Sequence, residues 1–104
     1  MIITTTPAIE GRSVADYLGV VAAQGVLGVN VFKDVAAGMR NIFGGRSQSY
    51  ENELASGVSD SLVELEKQAE QLGADAVIGV DIDYESLGQQ MLMISASGTA
   101  VRLG

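Results

Sequence analysis

Residues 79–88 read GVDIDYESLG and place Asp81, Asp83 and Glu85 at every second position, with Val80, Ile82 and Tyr84 between them. A period of two belongs to an extended strand, whose successive side chains point to opposite faces. The alternation therefore predicts a strand over DAVIGVDIDYES, residues 75–86, with three carboxylates on one face and an apolar set on the other. The segment MLMISASGTAVRL, residues 91–103, reads as a second strand, and LGQQ between the two reads as the turn of a hairpin.

The rest of the chain supplies what such a hairpin packs against. MIITTT is β-branched and stops at Pro7, the only proline, which suits a short first strand at an edge. AIEGRS is a loop, and Tyr17 to Gln24 form a nearly uncharged run that predicts a buried strand, with a bend at Gly25. Over residues 31–43, Phe32, Val35, Ala36, Met39, Ile42 and Phe43 recur at spacings of three and four, the stripe of an amphipathic helix that Gly44 and Gly45 end. A longer helix is expected from Gln48 to Leu72, with Ser47 as N-cap, an apolar face of Tyr50, Leu54, Val58, Leu62, Leu65, Ala69 and Leu72, and Gly73 closing it. The order β-β-α-α-β-β over a single domain, residues 1–104, predicts an α+β fold: a small antiparallel β-sheet with two helices on one face.

Composition narrows the function classes. The chain is 47% hydrophobic but only 5% aromatic, with 13 glycines, so its core is small. Charged residues make up 18%, against about 25% in an average soluble domain, which points to a subunit of an oligomer. A charge introduced on the apolar strand at Val21 is expected to dissociate or unfold it. The net charge of −7 argues against a nucleic-acid backbone or an anionic membrane surface as partner, because both require basic patches. There is neither cysteine nor histidine, which removes disulfides, thiolate chemistry, the commonest zinc ligand and the usual general base. No signal peptide or membrane-spanning run is legible, so a cytoplasmic protein is expected.

TTTPAIEGR, LGVNVFKDVAAGMRNIFGGRSQSYENEL, EKQAEQLGADAVIGVDIDYE and MLMISASGTAV occur in that order, and together they resemble the YbjQ-like family of small bacterial proteins across essentially the whole chain. The resemblance implies a dodecin-subunit-like fold and a ring-shaped homopentamer with strands joining across subunits. It also implies the family's heavy-metal-binding label, in a family without an established biochemical role.

Four groups of residues carry candidate chemistry. Carboxylates two apart on one strand face are about 6.6–7 Å apart along the chain, which suits a hydrated Ca²⁺ or Mg²⁺, or a site completed by another subunit, at Asp81, Asp83 and Glu85. The plain alternative is a solvated sheet face. In GGRSQSY, residues 44–50, the helix start at Gly45, Arg46 and Ser47 is suited to hold an anion, or else is an ordinary capped corner. Met91 and Met93 share a face and offer thioethers to Cu(I), or fill core. Catalysis lacks a base for Ser47, Ser49, Ser95, Ser97 and Thr99, and Lys33 and Lys67 have no legible partner. The expectation is a non-enzymatic homopentameric binding or scaffold protein that takes a divalent metal cation through carboxylates. The alternative is an anion or small-molecule binding protein, or enzyme, with its site at the Gly44–Ser47 helix start near a subunit interface. A third is docking of an unidentified partner protein.

Overall fold

A computed structural model describes residues 1–27, 48–86 and 91–104. Among them the elements are β1 (Ile2–Ile3), β2 (Val14–Leu27), α1 (Gln48–Gln71), β3 (Ala76–Ser86) and β4 (Leu92–Leu103). The helix expected over 31–43, the turn over 87–90 and the anion site at Gly45, Arg46 and Ser47 lie outside the described residues.

The four strands form one sheet in the order β1-β3-β4-β2. β3 and β4 pair antiparallel as the expected hairpin strands, and β2 pairs antiparallel with the other side of β4. β1 instead runs parallel to β3, with Ile2 opposite Ala76 and Ile3 opposite Val77. The sheet is thus mixed, which corrects the expectation of a purely antiparallel one. β1 is also shorter than MIITTT suggested, and the threonines after it bond their own backbone. The Thr6 amide donates to Thr4 Oγ1 at 3.2 Å, and Thr6 Oγ1 donates to the Ala8 carbonyl at 2.7 Å. These local bonds shape the turn toward Pro7, while the backbone of Thr4 and Thr6 still bonds to β3, the Thr4 amide donating to the Val77 carbonyl at 3.0 Å.

β2 also differs from its reading. It runs 14 residues rather than eight, and its register slips fall between Val14 and Asp16 and between Tyr17 and Gly19, not at Gly25. It is buried on one face only. Val21 and Ala23 point under α1, while Tyr17, Val20, Ala22 and Gln24 are exposed.

α1 lies across one face of the sheet and closes as its sequence demands. Gly73, at φ +79°, donates to the Glu70 carbonyl, and Ala74 donates to the Ala69 carbonyl, the paired bonds of a glycine C-cap. Leu65 and Ala69 are fully buried from its stripe, against Val21, Ala23, Val77, Val80, Ala96 and Ala100. Leu72 is 44% exposed, beyond the sheet. A second cluster of Ala76, Ile78, Val101 and Leu103 sits on the opposite face, where Ile9 and Val14 cover one end of the sheet.

Two adjacent β3 residues in different clusters are expected from alternation, but Val77 and Val80 are three apart and share the helix face. A β-bulge makes this possible. Between the pairs Ile78–Thr99 and Asp81–Ser97, β3 has two residues, Gly79 and Val80, where β4 has only Gly98. Gly79 takes φ +61°, a conformation that suits glycine at the first position of such a bulge. The amides of Gly79 and Val80 donate outward to the carbonyls of Thr6 at 2.8 Å and Thr4 at 3.0 Å. The inserted residue shifts the parity of everything after it. Val80 and Ile82 therefore face α1, and Asp81, Asp83 and Glu85 face away.

Candidate functional site

The open face of the sheet can be read row by row from the register. Asp81 lies opposite Ser97, and Ser97 opposite Ala22. In the next row Asp83, Ser95 and Gln24 line up, and after it Glu85, Met93 and Val26. Directly opposed residues on one face hold their Cβ atoms about 4.5–5.5 Å apart. Two of the three acids, Asp81 and Asp83, thus face half-buried hydroxyls, Ser97 and Ser95, on the central strand, Glu85 faces Met93, and Thr99 lies opposite Ile78. Sequence reading placed Ser95, Ser97 and Thr99 only among serines and threonines without a base. The cross-strand pairing of Ser95 and Ser97 with the aspartates depends on register, which two separate strand patterns do not specify.

The three acids are exposed, and they do not act alike. The Asp83 carboxyl is held above its ordinary value by its neighbour Asp81, through hydrogen bonding to the protonated form and through negative charge. Slight desolvation and the charge of Glu85 push in the same direction. Glu85 acts on Asp83 through charge alone. Among the described residues no group of three or more His, Cys, Asp or Glu side chains is gathered for a metal ion. Met91 is half-buried and Met93 lies on the open face beside Glu85.

The sign of the pH dependence follows. A carboxyl whose folded-state affinity for a proton is raised gives stability that is fully present below its unfolded pKa and is lost as pH rises through the folded one. At neutral pH the ionised pair therefore opposes folding. Asp83→Asn is expected to raise the thermal midpoint at pH 7, and the gain should shrink to nothing as pH falls below the carboxylate range. Thermal melts of both proteins across pH 3–7 read this directly, and an equal gain at every pH would contradict the raised Asp83 carboxyl.

The remaining polar contacts are structural. Asp75 ties the start of β3 to the end of β4: its amide donates to the Val101 carbonyl at 2.8 Å and its Oδ2 accepts from the Leu103 amide at 2.8 Å. Arg102 and Asp16 form an exposed ion pair at 3.9 Å, a type that contributes little.

Residues 1–104 match the family described as "Putative heavy-metal-binding". The chain belongs to the YbjQ-like family. Its bacterial relatives include proteins named UPF0145. One from Clostridium botulinum is 57% identical over 103 residues, covering 97% of each chain. One from Listeria ivanovii is 53% identical, covering 97% of this chain and 94% of its own. One from Bifidobacterium longum is 51% identical over 105 residues, covering 99% and 96%. Among solved structures, a Pediococcus pentosaceus protein of unknown function from the DUF74 family covers 100% of this chain at TM-score 0.69 and 21% identity, a likeness of fold. Among the described residues no helix is long and apolar enough to cross a membrane.

Proposed function

We propose that this YbjQ-like protein is a non-enzymatic, ring-forming homo-oligomer of the cytoplasm that binds a hard divalent cation on the open face of its sheet. The observation that carries the reading is the acid row itself: Asp81, Asp83 and Glu85 are exposed on one face of β3, with Ser97 and Ser95 opposite the two aspartates, and the charges of Asp81 and Glu85 help to hold the Asp83 carboxyl above its ordinary value. A cation relieves that repulsion. Ser95 and Ser97 stand opposite the pair as further oxygen donors, and Glu85 adds negative potential. Two carboxylates, two hydroxyls and water suit Ca²⁺, Mg²⁺ or Mn²⁺, which take six or more oxygen ligands. The family's label names heavy metals, but soft metals prefer thiolate and imidazole, and the chain has neither cysteine nor histidine.

Assembly supports the same reading. Tyr17, Val20 and Val26 line the outer strand of the open face at 73%, 79% and 49% exposure, an apolar strip that a neighbouring copy would cover. The homopentamer is the count implied by the sequence resemblance, and a ring would repeat the acid row around its axis.

Calorimetric titration of metal-free protein with Ca²⁺, Mg²⁺, Mn²⁺ and Zn²⁺, on material whose mass is measured by light scattering, tests both parts. The expected result is a particle of several times 10.8 kDa that takes up an oxygen-seeking cation. The uptake should vanish in Asp81→Asn/Asp83→Asn/Glu85→Gln. Equal binding by wild type and variant removes the site assignment, and a monomer at micromolar concentration removes the ring.

A further inference from the structure

β2 is an outer strand of the sheet, and it is long. Its pairing with β4 consumes the peptide groups of alternate residues and turns the others outward. Ala22, opposite Ser97, is one of the outward residues, as its bonds show: its amide and carbonyl both go to the side chain of Gln68 on α1. Gln68 Nε2 donates to the Ala22 carbonyl at 2.7 Å, and the Ala22 amide donates to Gln68 Oε1 at 3.1 Å. By the same alternation Val20 and Gln24, two residues to either side, also turn their peptide groups outward. Among the described residues no strand lies beyond β2.

A primary amide offers one carbonyl and one N–H in the geometry of a peptide group. Gln68 therefore makes at Ala22 the two bonds that one residue of an adjoining strand would make. A long exposed edge with apolar side chains is a template for adding a strand from another chain, and natural sheets block such edges with local devices. We propose that Gln68 is an edge lock: a side chain standing in for one residue of a fifth strand, so that β2 of a second copy cannot pair with β2 here. The second copy is the fitting occupant because an edge can meet its own equivalent about a two-fold axis. Antiparallel pairing centred on Ala22 sets Val20 against Gln24 across that axis, and Gln68 occupies its centre. Glutamine is required: glutamate cannot donate to the Ala22 carbonyl, lysine cannot accept from its amide, and leucine does neither.

Gln68→Leu keeps a strong helix former at a half-exposed position and removes both bonds. The test compares its rate of association, by thioflavin T fluorescence and sedimentation, with that of wild type and of Gly98→Ala, each held at the same interval below its own thermal midpoint. Gln68→Leu should associate about tenfold faster than either, and Gln24→Lys placed in the same chain should return it to the wild-type rate, since an edge lysine blocks pairing. Association no faster than that of Gly98→Ala overturns the lock, and so does fast association that Gln24→Lys leaves unchanged. A second measurement needs no variant. In the wild-type protein the Ala22 amide should exchange with solvent about three- to tenfold more slowly than the Gln24 amide, the protection expected from one added hydrogen bond. Equal rates would mean that the edge is either open or already filled, and the lock would fall. The exchange measurement reads one hydrogen-bonded amide and involves neither cations nor the acid row nor assembly, so its outcome is separate from the proposed function.

Discussion

Val21→Asp is expected to lose about 6 kcal/mol of stability at pH 7, because it exchanges a fully enclosed side chain for a carboxyl with no partner. Val21 is 2% exposed and packs beneath α1 with Leu65, Ala69 and Ala96. Losing its burial costs about 2 kcal/mol. The cheaper way to hold a carboxyl there is to protonate it, which from an ordinary aspartate costs about 4 kcal/mol at pH 7 and about 1.5 kcal/mol at pH 5. A domain of this length has a total stability of roughly 5–15 kcal/mol, so the pH 7 loss unfolds it or leaves it marginal. The introduced carboxyl has a raised folded-state pKa, so stability must return as pH falls. Urea titrations at pH 7 and pH 5 should show a recovery of about 2.5 kcal/mol for Val21→Asp and none for Val21→Asn. A loss of the same size at both pH values would show that the site is wet. Dissociation of an oligomer into folded subunits would show that Val21 faces a neighbour. That second result is what the sequence alone led one to expect at least in part, and the geometry removes it: Val20, at 79% exposure, is the residue that faces outward.

The Val20–Val21 pair shows where sequence reasoning reached its limit. The run YLGVVAAQG is apolar at nearly every position, so no alternation distinguishes its faces. Hydrophobicity identified the strand, but its two sides became separable only when α1 and β4 were in place. β3 behaved differently, because VDIDYE alternates strictly and one face had to be polar. The acids were legible as a row for that reason. The hydroxyls opposite Asp81 and Asp83 were not, since they depend on the pairing of β3 with β4. α1 was legible almost to the residue, because its periodic stripe and the glycine after it report the same boundary through independent physics. The parallel placement of β1 was out of reach. Two residues carry no period, and only the outward amides of Gly79 and Val80 give that segment its direction.

Gly98 decides whether the acid row exists in its observed form, and its substitution has the second large expected effect. It is the single β4 residue opposite the two-residue bulge of β3, and both Val77 and Val80 lean over it toward α1. A Cβ added there would stand 2.7 Å from Val77 Cγ1, 3.1 Å from Val80 Cγ2 and 3.2 Å from the Ile78 carbonyl oxygen. None of these can yield easily. The two valines are β-branched and held in single rotamers by the core, and the carbonyl is backbone. Gly98→Ala gains up to about 1 kcal/mol by restricting the unfolded chain, yet overpacking of this kind costs about 1–3 kcal/mol, and here three neighbours must move together. A net loss of about 2 kcal/mol is expected, lowering the thermal midpoint by roughly 10 °C, and Gly98→Val should cost more. Val77→Ala removes the closest obstructing atom. In the double variant Val77→Ala/Gly98→Ala the two losses should therefore add to less than their sum, with a coupling of about 1 kcal/mol or more in a double-mutant cycle. Strict additivity would mean that the valine does not occupy the space Gly98 leaves. The cycle also bears on the site. If relief at Gly98 straightens the bulge instead of repacking it, the parity of β3 reverses, Asp81 and Asp83 turn toward the helix, and both variants unfold as pH rises through the carboxylate range. Stability of the double variant that holds steady from pH 5 to pH 7 shows that the bulge, and with it the outward acid pair, is kept.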